Sequence, residues 1–250
     1  MKGKRVLSLA LAALMTLSLL VVPAAAVSFT DMTNHWAKDD VEYLATQGVV
    51  KGTSATTFDP DQKMTACEAL LFCSRATGVD AIDKEAIAED WEDELKEILP
   101  EEMYAWAAQE MAVCLETGII SETELRALSS AGGLVKSITR ETLAMYLVRA
   151  MQLAPLAQSL TSYPMSFADT TSISASLPPY LYLLNMSGIV TANELNRFLP
   201  QNSLTRAEMA KLIAVTMNGG KDPAISSSGV QFTDTTGNWA EHYIAWCSAR

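Results

Sequence analysis

The feature that most constrains what this 250-residue chain can fold into is an internal repeat. Gly48, Gly118 and Gly188 stand 70 residues apart. Each closes an apolar run at helical spacing and opens a short aliphatic stretch: Gly48-Val49-Val50, Gly118-Ile119-Ile120 and Gly188-Ile189-Val190. A glycine just past the last turn is a common helix stop, because it takes a left-handed backbone at no steric cost. Downstream of each glycine a second helix begins. Its clearest start is Ser203-Leu204-Thr205-Arg206-Ala207-Glu208, with counterparts at Lys63-Met64-Thr65-Ala66-Cys67-Glu68 and Ser137-Ile138-Thr139-Arg140-Glu141-Thr142. Thr followed three residues later by Glu is a capping box, in which hydroxyl and carboxylate each take an orphan backbone N–H. The first and last copies satisfy it. The middle copy has Thr142 where Glu is required and Glu141 one residue early, which leaves its box open and its helix start the least defined of the three.

Apolar residues behind each Thr keep the i, i+3, i+4, i+7 spacing of one helix face: Ala69, Phe72, Cys73 and Ala76; Leu143, Tyr146, Leu147 and Ala150; Met209, Leu212, Ile213 and Thr216. Ahead of each glycine lies the first helix of the unit, where Trp36-Ala37, Val41 and Leu44 align with Trp106-Ala107, Met111 and Cys114 and with Ser176-Leu177, Leu181 and Leu184. A lead-in precedes it, Phe29-Thr30-Asp31, returning as Phe167-Ala168-Asp169 and Phe232-Thr233-Asp234. Asp and Thr there suit a helix start. Seventeen residues separate Gly48 from Thr65 and Gly188 from Thr205, but 21 separate Gly118 from Thr139, so the middle unit carries a four-residue insertion near Ala131-Gly132-Gly133. The loops Phe58-Asp59-Pro60 and Phe198-Leu199-Pro200 match, and the middle unit lacks this motif. These patterns predict an all-α fold of repeated helix-loop-helix units. Linkers are expected at 79–90, around 154–164 and at 218–230, the last the richest in Gly and Ser.

The amino terminus is set apart from this pattern. Lys2, Lys4 and Arg5 precede an apolar run from Val6 to Val22, and Ala24-Ala25-Ala26 supplies small residues for cleavage. This reads as a secretory signal peptide over 1–26, in preference to an uncleaved anchor, with no stable membrane insertion after cleavage. Its removal takes the formal net charge from −11 to −14. Such acidity argues against nucleic acid and anionic membrane surfaces as general partners.

Four cysteines in an exported chain raise the question of disulfides. Cys67 and Cys73 lie six residues apart on one predicted helix, about 9 Å along its axis, too far to bridge. Cys73 aligns with Leu147 and Ile213, and Cys114 and Cys247 align with Leu44, so these three read as small buried hydrophobes. No ligand-type Cys/His spacing points to a metal, and no cofactor is implied. The acidic run Glu89-Asp90-Trp91-Glu92-Asp93-Glu94 and the pair Glu101-Glu102 read as solvated faces, with no second catalytic group beside them. His35 and His242 have no nucleophile motif to serve. Asp59-Pro60-Asp61 is too short for an EF-hand calcium loop, and no glycine-rich phosphate loop is present. No catalytic residue is assigned, and the chain is expected not to be an enzyme.

Taken in order, Phe-Thr-Asp, His-Trp-Ala, Gly-Val-Val-Lys-Gly, Phe-x-Pro and Thr-Arg-Ala-Glu resemble the S-layer homology domain. The resemblance covers nearly the whole mature chain, as units at 27–78, 91–153 and 165–218 and the start of a fourth at 230–250. It implies a non-enzymatic anchor: three repeats in a pseudo-threefold helical bundle, whose grooves hold a secondary cell-wall polysaccharide, often capped by a pyruvate ketal. It also implies that the Arg of Thr-Arg-Ala-Glu is a main contact to the anionic sugar.

The residues support a physical account of that contact. Thr205 at the N-cap places Arg206 beside free backbone N–H groups and the positive end of the helix dipole, an unfavourable place for a cation unless an anion sits between them. Arg also grips a carboxylate bidentately. Against this stands the plainer reading that Arg140 and Arg206 point into water. The first unit has Ala66 in place of the Arg, so its groove is silent or is served by Lys63 or Arg75. Expected glycan contacts are therefore Arg206 with Thr205 and Glu208 as the best site, and Arg140 as a second whose geometry is disturbed by the open cap. Trp36, Trp106 and Trp239 are open between sugar stacking and core. The resulting expectation is a secreted protein of the cell wall, S-layer or cell surface. It would bind an anionic glycan linked to peptidoglycan, with other surface-layer proteins as further partners. Two rivals stand beside it: degenerate repeats acting as a protein-protein interaction or structural module, and the anchor part of a larger surface enzyme.

Overall fold

A computed structural model describes residues 28–219. The leader, the fourth lead-in, Trp239, His242 and Cys247 lie outside the described residues. Within them the chain is all-α, with no strand or sheet. Its helices are α1 (Lys38–Thr46), α2 (Ala66–Ala76), α3 (Ala81–Asp90), α4 (Glu92–Ile98), α5 (Glu101–Glu116), α6 (Glu122–Ser130), α7 (Arg140–Ala150), α8 (Ala154–Ser159), α9 (Pro178–Met186) and α10 (Arg206–Met217).

The glycine stops act as their spacing predicts. Gly48, Gly118 and Gly188 have φ of +70°, +73° and +75°, and an amide one or two residues on turns back to the helix: Val49 to the Leu44 carbonyl, Ile120 to Cys114 and Ile189 to Leu184. The Thr starts hold as well. Thr65 and Thr205 form complete capping boxes, whereas Thr139 accepts from the Thr142 amide and pairs with the Thr142 hydroxyl at 2.8 Å. The open box therefore does not move the start of α7, because the N-cap hydroxyl suffices.

The three Thr segments meet at one point. Lys63 bridges to Thr205, Thr65 to Ser137 and Thr139 to Ser203, the same register each time. Between them the Met64 amide donates to the Leu204 carbonyl (3.0 Å), Leu204 to Ile138 (3.4 Å) and Ile138 to Met64 (2.9 Å). This cycle of three bonds, with Met64, Leu204 and Ile138 all buried, is a pseudo-threefold axis written in backbone hydrogen bonds. The helices follow the same rotation: α5 packs on α2, α9 on α7 and α1 on α10. Each first helix thus covers the second helix of the preceding unit, and the earliest helix closes on the last. An ion pair from Asp40 to Lys211 (3.5 Å) spans that closing contact. One continuous apolar core runs through all three units.

Several segments differ from expectation for identifiable reasons. Residues 79–90, read as a linker, contain α3, capped by the Asp80 carboxylate on the amides of Ile82 and Asp83. The insertion of the middle unit is helical too: Ser121 and Glu124 form a third complete capping box, and α6 follows. Asp31 and Asp169 do not cap helices. Their carboxylates accept instead from the amides of Phe58 and Asp59, and of Phe198 and Leu199. Asp59 and Leu199 have φ of +56° and +61°, so these clamps hold two turns in a strained left-handed geometry. Burial pushes the Asp31 carboxyl up, but the amides of Phe58, Asp59 and Asp31 itself, with the Arg206 charge, together leave its pKa below the ordinary value.

Cys67, Cys73 and Cys114 are buried free thiols, and burial pushes Cys67 and Cys73 up to about 12. They pack as hydrophobes. Arg75, a candidate substitute for the missing Arg of the first unit, is committed elsewhere: its Nε lies 3.1 Å from Glu110, which also takes Lys84 (3.1 Å) and the Ser74 hydroxyl (2.6 Å). This cluster ties α3 and α5 to α2. Burial raises the Glu110 pKa, but Ser74, Lys84 and Arg75 outweigh it and hold it below 4.5. The stability it contributes is therefore complete above pH 4.5 and is lost as pH falls through the lowered value. Urea titration is expected to show Glu110→Gln less stable than wild type by about 2–3 kcal/mol at pH 7, with the gap narrowing below pH 4.

Candidate functional site: the junctions between units

The junctions are built by the first turns of α2, α7 and α10. The amides there are not free for an outside anion. Arg206 N–H donates to the Gln62 carbonyl (2.9 Å) and Ala207 to Pro60 (3.0 Å). Arg140 donates to Asn202 (3.0 Å), Glu141 to Pro200 (3.1 Å) and Ala66 to Lys136 (2.9 Å). The expectation that an anion bridges the helix end and the Arg is corrected accordingly: carbonyls of the neighbouring unit's loop fill that role.

Arg206 neither points into water nor faces an open groove. It is 3% exposed, with its guanidinium 4.6 Å from the Phe58 ring centroid. It donates to the carbonyls of Phe58 (2.7 Å) and Lys51 (2.9 Å) and to Glu68 (3.2 Å). Burial lowers its pKa, opposed by Glu68, Asp59 and Asp31. Three acids around one cation leave this junction with no surplus positive charge. Arg206 is thus a strut that fastens the third unit to the first.

Arg140 makes the same strut in weaker form. Its Nε donates to the Phe198 carbonyl (2.9 Å), and its guanidinium lies over the Phe198 ring at 5.3 Å. Its Nη1 stands 3.6 Å from Glu208, and 21% of the side chain remains exposed. Burial lowers its pKa, and Glu208 opposes that. Of the two arginines it is the one solvent reaches.

The Glu of each Thr-led capping box serves two units. One oxygen of Glu208 accepts from the Thr205 amide (2.8 Å) while the other faces Arg140; Glu68 does the same for Thr65 and Arg206. Glu208 and Thr205, expected as glycan contacts, are thereby a counter-ion and an N-cap. By the same rotation, the partner of position 66 is position 142. Ala66 has lost the Arg and Thr142 has lost the Glu, so the two departures noted separately in the sequence are one missing strut. That junction is instead filled by the inserted segment, whose Leu134 is buried and whose 3-10 turn (Gly133–Val135) packs on α2. Lys63 supplies no substitute cation there, its Nζ donating to the Ser203 carbonyl (3.2 Å).

Sequence reasoning overlooked Glu141. It is 4% exposed and accepts from the Ser174 amide (2.9 Å), the Ser174 hydroxyl (2.5 Å) and Gln201 (2.9 Å), so it pins the third unit to α7 beside Arg140. Its displacement by one residue from the capping position was the visible signal.

Of the three candidate tryptophans, the two within the described residues resolve toward solvent. Trp36 and Trp106 are 62% and 55% exposed at equivalent positions. The His35 ring supports Trp36 at 5.3 Å, with its Nδ1 accepting from the Ala37 amide (3.2 Å) and its Nε2 3.9 Å from Asp61. Helix packing assigns Trp36 to the Arg206 junction and Trp106 to the junction lacking a strut; the Arg140 junction has Ser176 there. No group of three potential metal ligands occurs among the described residues, and none of their helices is long and apolar enough to cross a membrane.

Three helix-loop-helix units closed head to tail, with charged struts and exposed indoles at their junctions, define an all-helical repeat scaffold. The sequence profile of the S-layer homology domain matches residues 28–65 and 166–210, which identifies S-layer homology segments in the first and third units. It is 26% identical over 193 residues to an endoglucanase of Bacillus sp. (strain KSM-635), covering 77% of this chain and 19% of that protein. It is also 26% identical to an amylopullulanase of Thermoanaerobacterium thermosulfurigenes (74% and 9%) and to an S-layer protein of Bacillus thuringiensis subsp. finitimus (78% and 22%). The chain thus spans about a tenth to a fifth of the length of these relatives. The shared segment is a non-catalytic domain of cell-surface anchoring.

Removing Arg206 strands the buried Phe58 carbonyl, the Lys51 carbonyl and a carboxylate, whereas Arg140 has fewer partners and keeps 21% of its side chain in solvent. Arg206→Ala is expected to cost about 3–5 kcal/mol and Arg140→Ala about 1 kcal/mol, compared by urea midpoints at pH 7.

Proposed function

We propose that this chain holds an exported protein to the cell envelope by non-covalent binding of an anionic, peptidoglycan-linked wall polysaccharide, pyruvylated polymers included. The observation that carries the reading is the pair of exposed indoles, Trp36 and Trp106, repeated at equivalent positions. An indole left in water at the same place in two units is a surface for stacking on the apolar face of a sugar. The anionic part of the ligand falls to Arg140, whose guanidinium suits a carboxylate bidentately and is reached by solvent. Anchoring is thus divided among junctions, with stacking at two and charge at the third. Sugar stacking needs little net charge, which suits a chain as acidic as this one.

A second reading extends the first: this segment serves as the anchor of a larger surface protein. It is favoured by relatives named for carbohydrate-active enzymes, to which the likeness covers only a fraction of their length.

The test is co-sedimentation of the mature chain with wall sacculi that retain or lack the secondary polysaccharide. Wild type is expected to pellet only with the polymer, Trp36→Ala and Trp106→Ala each to weaken binding about tenfold, and Arg140→Ala to weaken it and flatten its salt dependence. A wild type that stays in the supernatant with both preparations overturns the reading.

A further inference from the structure

We propose that Glu208 is a displaceable internal counter-ion that sets the affinity and the anion selectivity of the Arg140 junction. The inference rests on the reading of Arg140 as the anion contact, and goes beyond it by assigning what the ligand must compete with.

The geometry separates the two oxygens of Glu208. Oε2 is fixed by the Thr205 amide at 2.8 Å, closing the capping box of α10. Oε1 lies 3.6 Å from Arg140 Nη1, longer than a charge-assisted hydrogen bond, and the side chain is 38% exposed. The guanidinium meanwhile keeps its Nε bond to the Phe198 carbonyl and its place over the Phe198 ring whatever Glu208 does. Arg140 is therefore preorganised by neutral partners and only loosely neutralised by the carboxylate. A ligand carboxylate approaching from solvent takes the place of Oε1, and Glu208 retains its second oxygen on the helix cap. Neutral sugars have no means to displace it, which makes the pair selective for acidic residues of the polymer.

The Arg206 junction is the internal contrast. Its Glu68 stands at 3.2 Å from Nη1, Asp59 and Asp31 add to the field, and the guanidinium side chain is 4% exposed. There the counter-ion is part of the fold and no exchange takes place.

The test uses Glu208→Gln, because a glutamine at this position still closes a capping box while carrying no charge. Sodium pyruvate serves as a minimal carboxylate, and binding is followed by the 15N–1H cross-peak of Arg140 Nε in the mature chain. Glu208→Gln is expected to bind pyruvate about three- to fivefold more tightly than wild type with thermal midpoint nearly unchanged, and Glu68→Gln to produce no gain at Arg206. Equal pyruvate affinity in wild type and Glu208→Gln overturns the proposal. A parallel sedimentation arm with polymer-bearing sacculi separates the two readings. Tighter pyruvate binding without sedimentation of either protein supports the counter-ion and defeats the wall anchor. Sedimentation that depends on Arg140 but ignores Glu208→Gln does the reverse.

Discussion

Everything in this fold depends on the three-membered cycle of hydrogen bonds through Met64, Leu204 and Ile138. Three short segments, each too small for a sheet, exchange one bond apiece around an axis, and their side chains plug its centre. The cycle fixes where each second helix begins, because the Thr cap follows one residue later. It also points the first-turn amides of every second helix at the loop of its neighbour. The helix ends, which on their own would need water or an anion, are satisfied by the repeat itself. That is why a motif that looks like an anion receptor in one dimension is a structural joint in three.

The charged struts show how a repeat diverges without breaking. An Arg on one unit and a Glu on the next form a single interaction, so losing one alone would bury an unpaired charge. At the third junction both are absent, and apolar packing from the inserted segment takes their place. The two surviving struts have also drifted apart. Arg206 is locked among carbonyls and three acids, while Arg140 keeps one loose carboxylate and contact with solvent. Binding capacity and structural duty have been distributed between formally equivalent residues.

Local physics made the outline legible. Glycine stops, Thr caps and helical periodicity are short-range signals, and they located the first and second helices of all three units. The Asp80 and Ser121-Glu124 caps were equally readable, but both lay in stretches whose place outside the repeat pattern suggested linker and loop. What one sequence does not display is pairing across units. Nothing in the order of residues says that position 66 faces 142, or that Asp31 reaches the amide of Phe58. The burial of Arg206 has the same origin, since it is set by a loop 148 positions away in the chain.

The packing of α1 on α10 carries a consequence for how the molecule is made. A ring joined between its earliest and latest helices has its longest-range contact as its final one, so the closing step waits for the whole domain to be synthesised. Until then α10 has no α1 against it and the threefold cycle lacks a member. The Arg206 junction, and with it the complete cycle, therefore forms only once α10 is available to α1. The architecture that shapes the joints also times their appearance.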